Sequence, residues 1–273
     1  MTEQTHVAHA GHHAGTQTSP RVRLHFRTQA LVTDARGYHR WATRTTEQVV
    51  LAETAAIIIC DMWDDHWSRG ASERVAALAP RMNQVITAAR ASGMLIVHAP
   101  SSTLAFYANT PARQRVLAAP PLAPPPPLDH PDPPLPLDAS DGGSDTGEAP
   151  WHPAWSRQHP AIDIDQARDG IADDGVAIYR FLRQRGIAQV FIMGVHTNMC
   201  VLNRTFGIKA LVRWGLPVAL VRDLTDALYN PARSPYVSHD AGTRLIIAYI
   251  EKFWCPTIAS TDLLGAGDHI MTP

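Results

Sequence analysis

Four short, unbroken apolar runs constrain the fold of this chain more than any other feature. Residues 55–60 (AAIIIC), 94–99 (MLIVHA), 190–195 (VFIMGV) and 217–221 (PVALV) are rich in β-branched side chains and lack polar alternation. An alternating strand keeps one face in water, whereas a continuous one is covered on both faces, as in a parallel sheet flanked by helices. Helical patterns lie between the runs. In 73–92, Val75, Leu78, Met82, Val85, Ile86 and Ala89 recur at three- and four-residue spacing, and Gly93 follows where a C-terminal cap belongs. Pro80 is expected to split this stretch or to start its second helix. Further helices are expected over 175–185, ending at Gly186, and 199–214, ending at Gly215. Strands alternating with helices call for right-handed crossovers. The expected fold is therefore α/β, a doubly wound and mainly parallel β-sheet with helices on both faces.

Two irregular stretches interrupt the pattern. Residues 1–20 are polar, without periodicity, and carry His6, His9, His12 and His13; they read as a disordered, solvated tail. Residues 21–273 then read as one domain, with an insertion at about 119–149. From Pro120 to Pro136, ten of seventeen residues are proline, and LDASDGGSDTGE follows. Missing backbone donors and a flexible Gly/Asp/Ser run keep both halves out of a packed core, so the insertion reads as a surface spacer. A polyproline ligand for a partner, or a flap over a site, are the functional alternatives.

Charge and cysteine usage exclude several classes. The formal net charge is −1, so no global field favours nucleic acid or an anionic membrane. No apolar run approaches the roughly 18 residues that span a bilayer, and the first residues lack the pattern of a secretory signal. Three cysteines, Cys60, Cys200 and Cys255, are too few for a disulfide scaffold and suggest a reducing, cytoplasmic setting.

Ligands of open parallel sheets bind at the carboxyl ends of the strands. There the first run delivers Asp61 and MWDDHW, and the third delivers His196 to Cys200. Cys200 falls in the first turn of the helix after a buried strand, where backbone amides are expected to lower a thiol pKa. Asp61, a carboxylate after an all-apolar strand, is the natural base for it. Cys60 and Cys255 read as core.

At these residues the chain resembles the isochorismatase-like cysteine hydrolases. GVHTNMCV is similar to their nucleophile loop, IIICDMWDDHW to their first strand with its aspartate, and the strand–helix order from about 50 to 262 to their scaffold. The resemblance implies Cys200 as nucleophile and Asp61 as acid/base. It also implies the backbone amides of His196 and Cys200 as oxyanion hole, with a cis peptide at Val195–His196, and Trp63 and Asn198 lining the substrate pocket. It further implies a homo-oligomer. Two departures stand out. The family lysine between first strand and cysteine is absent, since Lys209 and Lys252 both follow Cys200. Arg157, in the phrase WSRQHPAI, is the expected replacement, with Arg168 second; arginine supplies charge but no proton near neutral pH. The metal-binding histidine motif of some members is missing from HAPSSTLAFYANTPARQR, so no metal and no other cofactor is expected.

The resulting expectation is a cysteine hydrolase that cleaves a C–N bond of a small amide or carbamoyl compound. The alternative is a catalytically impaired binding or regulatory protein on the same scaffold, because the lysine is absent.

Overall fold

A computed structural model describes residues 20–149, 152 and 154–265. The expected tail, with its four histidines, lies outside the described residues apart from Pro20. The chain opens with a hairpin, β1 (Arg21–Thr33) and β2 (His39–Leu51), and then enters the strand–helix alternation. Its elements are β3 (Ala55–Cys60), α1 (Arg69–Ala91), β4 (Leu95–Ala99), α2 (Pro111–Leu117) and β5 (Gly170–Ile171). There follow α3 (Gly175–Gln184), β6 (Gln189–Val195), α4 (Cys200–Asn203), α5 (Ile208–Arg213) and β7 (Val218–Asp226). The described chain ends with α6 (His239–Phe253), β8 (Thr257–Ile258) and α7 (Ser260–Leu264).

The eight strands form one sheet in the order β2-β1-β8-β7-β6-β3-β4-β5. From β8 to β5 every pairing is parallel, and β1 joins β2 and β8 antiparallel. The apolar runs became strands because both of their faces are covered. Ala56, Ile58 and Cys60 of β3 pack with α3, α5 and α6, while Ala55, Ile57 and Ile59 pack with α1 and α7. The hairpin is an addition that the continuous-run pattern does not mark. Only Val22, Leu24 and Phe26 of β1 are buried, and β2 is almost wholly exposed at the sheet edge.

Three expectations are corrected. Helix α1 passes through Pro80 without a break. Pro80 and Ala76 both face solvent, so the carbonyl left without its partner meets water, while Val75, Ala79, Met82, Val85, Ile86 and Ala89 hold the helix to the sheet. The segment 199–214 is two short helices, broken at Arg204, whose extended ψ of 156° ends α4. The Pro-rich insertion is not a loose spacer. Leu137 is buried in the core, and Leu128, His130 and Asp132 contact Arg213, Trp254, Lys209 and Tyr249 of the α5–α6 layer.

Gly194, next to last in β6, has φ +119°, and a Cβ there would lie 2.0 Å from the carbonyl oxygen of Cys60. Only glycine lets β6 approach β3 this closely as both strands deliver their loops. The chain runs from β3 outward to β4 and returns on the other side of β3 as β6, so this is the switch point at which such sheets bind ligands.

Candidate active site

Asp61 leaves β3 with a left-handed backbone (φ +47°) and is fully buried. Its amide bonds the Ala99 carbonyl at 3.0 Å, and its own carbonyl accepts the Trp63 amide at 2.9 Å, which fixes this uncommon conformation. The carboxylate accepts two donors and faces the Cys200 thiol. The Ser101 amide reaches Oδ1 at 2.8 Å and the Arg204 Nε reaches Oδ2 at 2.9 Å, and the Cys200 thiol lies beside the carboxylate close enough for the two to shift each other's pKa. A carboxyl group surrounded only by donors is ionised, and the proton of the pair sits on sulphur.

Electrostatics agree with that assignment. Burial and the neighbouring Asp61 charge push the Cys200 thiol up to about 12, against the opposing pull of Arg204. Burial likewise raises Asp61 above the ordinary carboxylate range, partly offset by Arg204, the thiol and Ser101. The expected lowering of the thiol by its helix is thus corrected. A four-residue helix has little dipole to offer, and the buried carboxylate outweighs it.

The structure does not bring Arg157 to Asp61, and this expectation is corrected. Its Nε lies 3.8 Å from Asp64, its guanidinium sits over the Phe106 ring, and its side chain is 47% exposed. The WSRQHPAI phrase turns it outward: Asp64 caps the amides of Ser156 and Arg157, and Gln158 forms an isolated antiparallel bridge with Trp63. Arg168 pairs with Asp165 on the surface. The cation at Asp61 is Arg204. Arg204 lies one residue past the end of α4, and the break in the backbone there turns its side chain back toward Asp61, a turn that the sequence does not signal.

The remaining site residues surround a cleft of about 640 Å³ lined by Trp63, Trp155, His196, Asn198, Cys200 and Arg204, among others. The Val195–His196 peptide is cis. The His196 amide points at the Cys200 sulphur, and the Cys200 amide finds no acceptor among the described residues. Trp63 donates its indole N–H to the Ser101 carbonyl at 3.0 Å. Asn198 lines the cleft, but its side-chain amide is occupied by a reciprocal pair of 2.9 Å bonds with the Leu228 backbone. His98 is not free for a metal: Nδ1 bonds Gln158 at 2.8 Å and Nε2 bonds Asp169 at 3.0 Å. Among the described residues no group of three or more His, Cys, Asp or Glu side chains is placed to hold a metal ion.

The insertion closes one side of the cleft. Gly142 lines it, and Gly143 packs so tightly on Leu228 that a Cβ would fall 2.5 Å from that carbonyl. Asp145 pairs with Arg74 through two bonds of 2.9 and 3.0 Å, Arg74 reaches Asp226 at 2.8 Å, and Asp226 bonds His239 at 2.9 Å. This clamp ties the loop to α1, β7 and α6. Sequence reasoning missed it, because its four charges lie on four separate segments.

With this geometry in view, solved structures show which folds this chain is similar to. A cysteine hydrolase from Pseudomonas syringae pv. phaseolicola 1448A superposes with a TM-score of 0.50 at 16% identity, over 80% of this chain and 93% of that one. This chain shares the fold of that protein. An isochorismatase family protein from Burkholderia thailandensis (TM-score 0.45, 14% identity, 79% and 96% covered) is also similar. So is N-carbamoylsarcosine amidase from Thermoplasma acidophilum (0.42, 14%, 76% and 96%). No protein-family model matches the sequence, and no curated protein matches it either. Among the described residues no helix is long and apolar enough to cross a membrane.

Proposed function

We propose that this protein is a hydrolase that cleaves a C–N bond of a small amide or carbamoyl compound through a covalent intermediate on Cys200. One observation carries the reading: at the switch point of the sheet the Cys200 thiol and the Arg204 guanidinium line a cleft, with the Asp61 carboxyl buried directly behind them. As Cys200 attacks the carbonyl carbon, Asp61 takes the thiol proton, and the developing oxyanion accepts the amides of His196 and Cys200. The C–N bond breaks as Asp61 passes that proton to the leaving nitrogen. Water then adds to the thioester with Asp61 as base, the acid departs, and the proton returns to sulphur. Arg204 keeps its charge throughout and holds Asp61 ionised and oriented.

The rival reading, an inactive binding protein, draws its motive from the missing lysine. Arg204 removes that motive, because the charge is present at Asp61 from another position. The test is to incubate the protein with a panel of primary amides, quench in acid, and search by mass spectrometry for an acyl group on the Cys200 peptide. Hydroxylamine should convert the adduct to a hydroxamate. Turnover that survives in Cys200→Ala would overturn the covalent route.

A further inference from the structure

Five of the eleven large apolar side chains that stand exposed among the described residues belong to one hairpin: Leu31, Tyr38, Trp41, Val49 and Leu51. Strand β2 closes the sheet at that end, and among the described residues no strand pairs with its outer side. It is 13 residues long, holds neither proline nor glycine, and pairs with β1 residue for residue from His39 to Leu51 without a bulge. Such an edge offers a row of free backbone donors and acceptors, which proteins ordinarily blunt with a proline, a bulge, a lysine or a covering segment. Among the described residues β2 has none of the four. Trp41, Val49 and Leu51 alternate onto one face of it, and Leu31 joins them from directly across Trp41. Backbone and side chains alike are set out for a further strand.

The sequence of β2 suits β2 itself in that place. When two copies of an edge strand meet antiparallel about a two-fold axis normal to the sheet, each face continues as the same face. Only residues an even number of positions apart then come opposite one another. Three registers pair nearly the whole strand, centred on Arg44, Thr45 or Thr46. The first opposes two arginines, which is unfavourable. Centring on Thr45 sets Trp41 against Val49, Arg44 against Thr46 and Glu47 against Thr43. Centring on Thr46 sets Trp41 against Leu51, Arg44 against Gln48 and Glu47 against Thr45. In both, Arg44 and Glu47 each meet a polar partner, and exposed apolar side chains cover one another. The charges on β2 thus select a register instead of forbidding the contact.

We infer that β2 is an interface between two copies of this chain, joined antiparallel at their edges so that the two sheets run on as one. The assembly is independent of the hydrolase reading. Sedimentation of the full chain should give an even number of copies, and Thr45→Asp/Val49→Asp should split that assembly into halves. In the Thr45 register the new carboxylate at position 45 opposes its own copy, and in the Thr46 register it opposes Glu47, so association should weaken by roughly 100-fold. Within one copy the same two positions lie across from Arg27 and Arg23, so the hairpin itself keeps its fold, which circular dichroism checks. Separately, either Thr45→Cys or Thr46→Cys, whichever marks the centre, should close a disulfide between copies with copper phenanthroline as oxidant. Val176→Cys, on the exposed side of α3, should not. Should the aspartate variant fail to fold, the cross-linking decides. A chain that sediments as one copy at about 100 μM would overturn the interface. So would an assembly that Thr45→Asp/Val49→Asp leaves unaltered, or cross-linking no faster at positions 45 and 46 than at 176.

Discussion

Asp61 does two opposed things to Cys200. Its charge holds the thiol protonated at rest, yet its carboxylate is the group that removes the proton during attack. Asp61→Asn should therefore separate reactivity from catalysis. Without the negative neighbour the thiol pKa falls, so iodoacetamide should alkylate Cys200 faster at pH 8–9 than in the wild type, while amide turnover drops by roughly 10²–10⁴-fold. Slower alkylation in that variant would contradict the arrangement. Arg204→Ala should act the other way, raising both pKa values and slowing alkylation across the same range, whereas Arg157→Ala should leave the pH profile as it is. The nucleophile and its base were legible in the sequence because each ends an unmistakable buried strand. The cation was not, since arginines are many and only the break after α4 turns this one back toward Asp61. His196 was noted only for its backbone; the packing of its ring edge-on to His66 has no signature in sequence.

Elements tolerate or refuse change according to what they face. Pro80 lies on the solvent side of α1, so Pro80→Ala restores an N–H to the Ala76 carbonyl without disturbing the buried face. It should stabilise the protein by about 1 kcal/mol, part of the roughly 3 kcal/mol that an interior proline costs, read as a rise in Tm. Gly194→Ala is the opposite case. Its Cβ would overlap the Cys60 carbonyl oxygen, so β6 must move off β3, at a cost on the order of 3 kcal/mol or more and with loss of the cleft. The central strands could be read from the chain because burial on both faces leaves a pattern. The hairpin β1–β2 could not, because its long, mostly exposed ladder is held by strand pairing more than by burial.

At the scale of the whole molecule, the excursion between α2 and β5 decides how the cleft is closed. The proline-rich half crosses the α5–α6 layer, where Asp132 bonds Lys209 at 2.8 Å and Tyr249 at 3.0 Å, and His130 stacks on Trp254. The Gly/Asp/Ser half then returns to the cleft and locks through Asp145, Arg74, Asp226 and His239. Composition revealed the irregular backbone of this stretch but not its docking, which depends on partners a hundred residues away. The lock titrates. Burial alone would lower His239, but its bond to Asp226 and that carboxylate's charge raise it above its usual value. Burial would raise Asp226, but His239 and Arg74 hold it below the carboxylate range. His239 therefore adds stability that is complete below its unfolded value near 6.5 and is lost as pH rises through its higher folded value. Asp226 adds stability above about 3.9 and loses it as pH falls through its lower folded value. The lock should be strongest between about pH 4 and 6.5. Tm measured against pH should fall on the alkaline side of that window in the wild type, and His239→Gln should flatten that limb and also shrink the acid limb, because His239 is the first of the groups that hold Asp226 low. Arg74→Met, which removes the guanidinium that bridges Asp145 and Asp226 and leaves His239 alone to balance them, should cost about 1–3 kcal/mol and open 138–148 to protease. An alkaline limb of unchanged slope in His239→Gln would mean that the insertion is held by its packing on Leu228 instead of by the charges beside it.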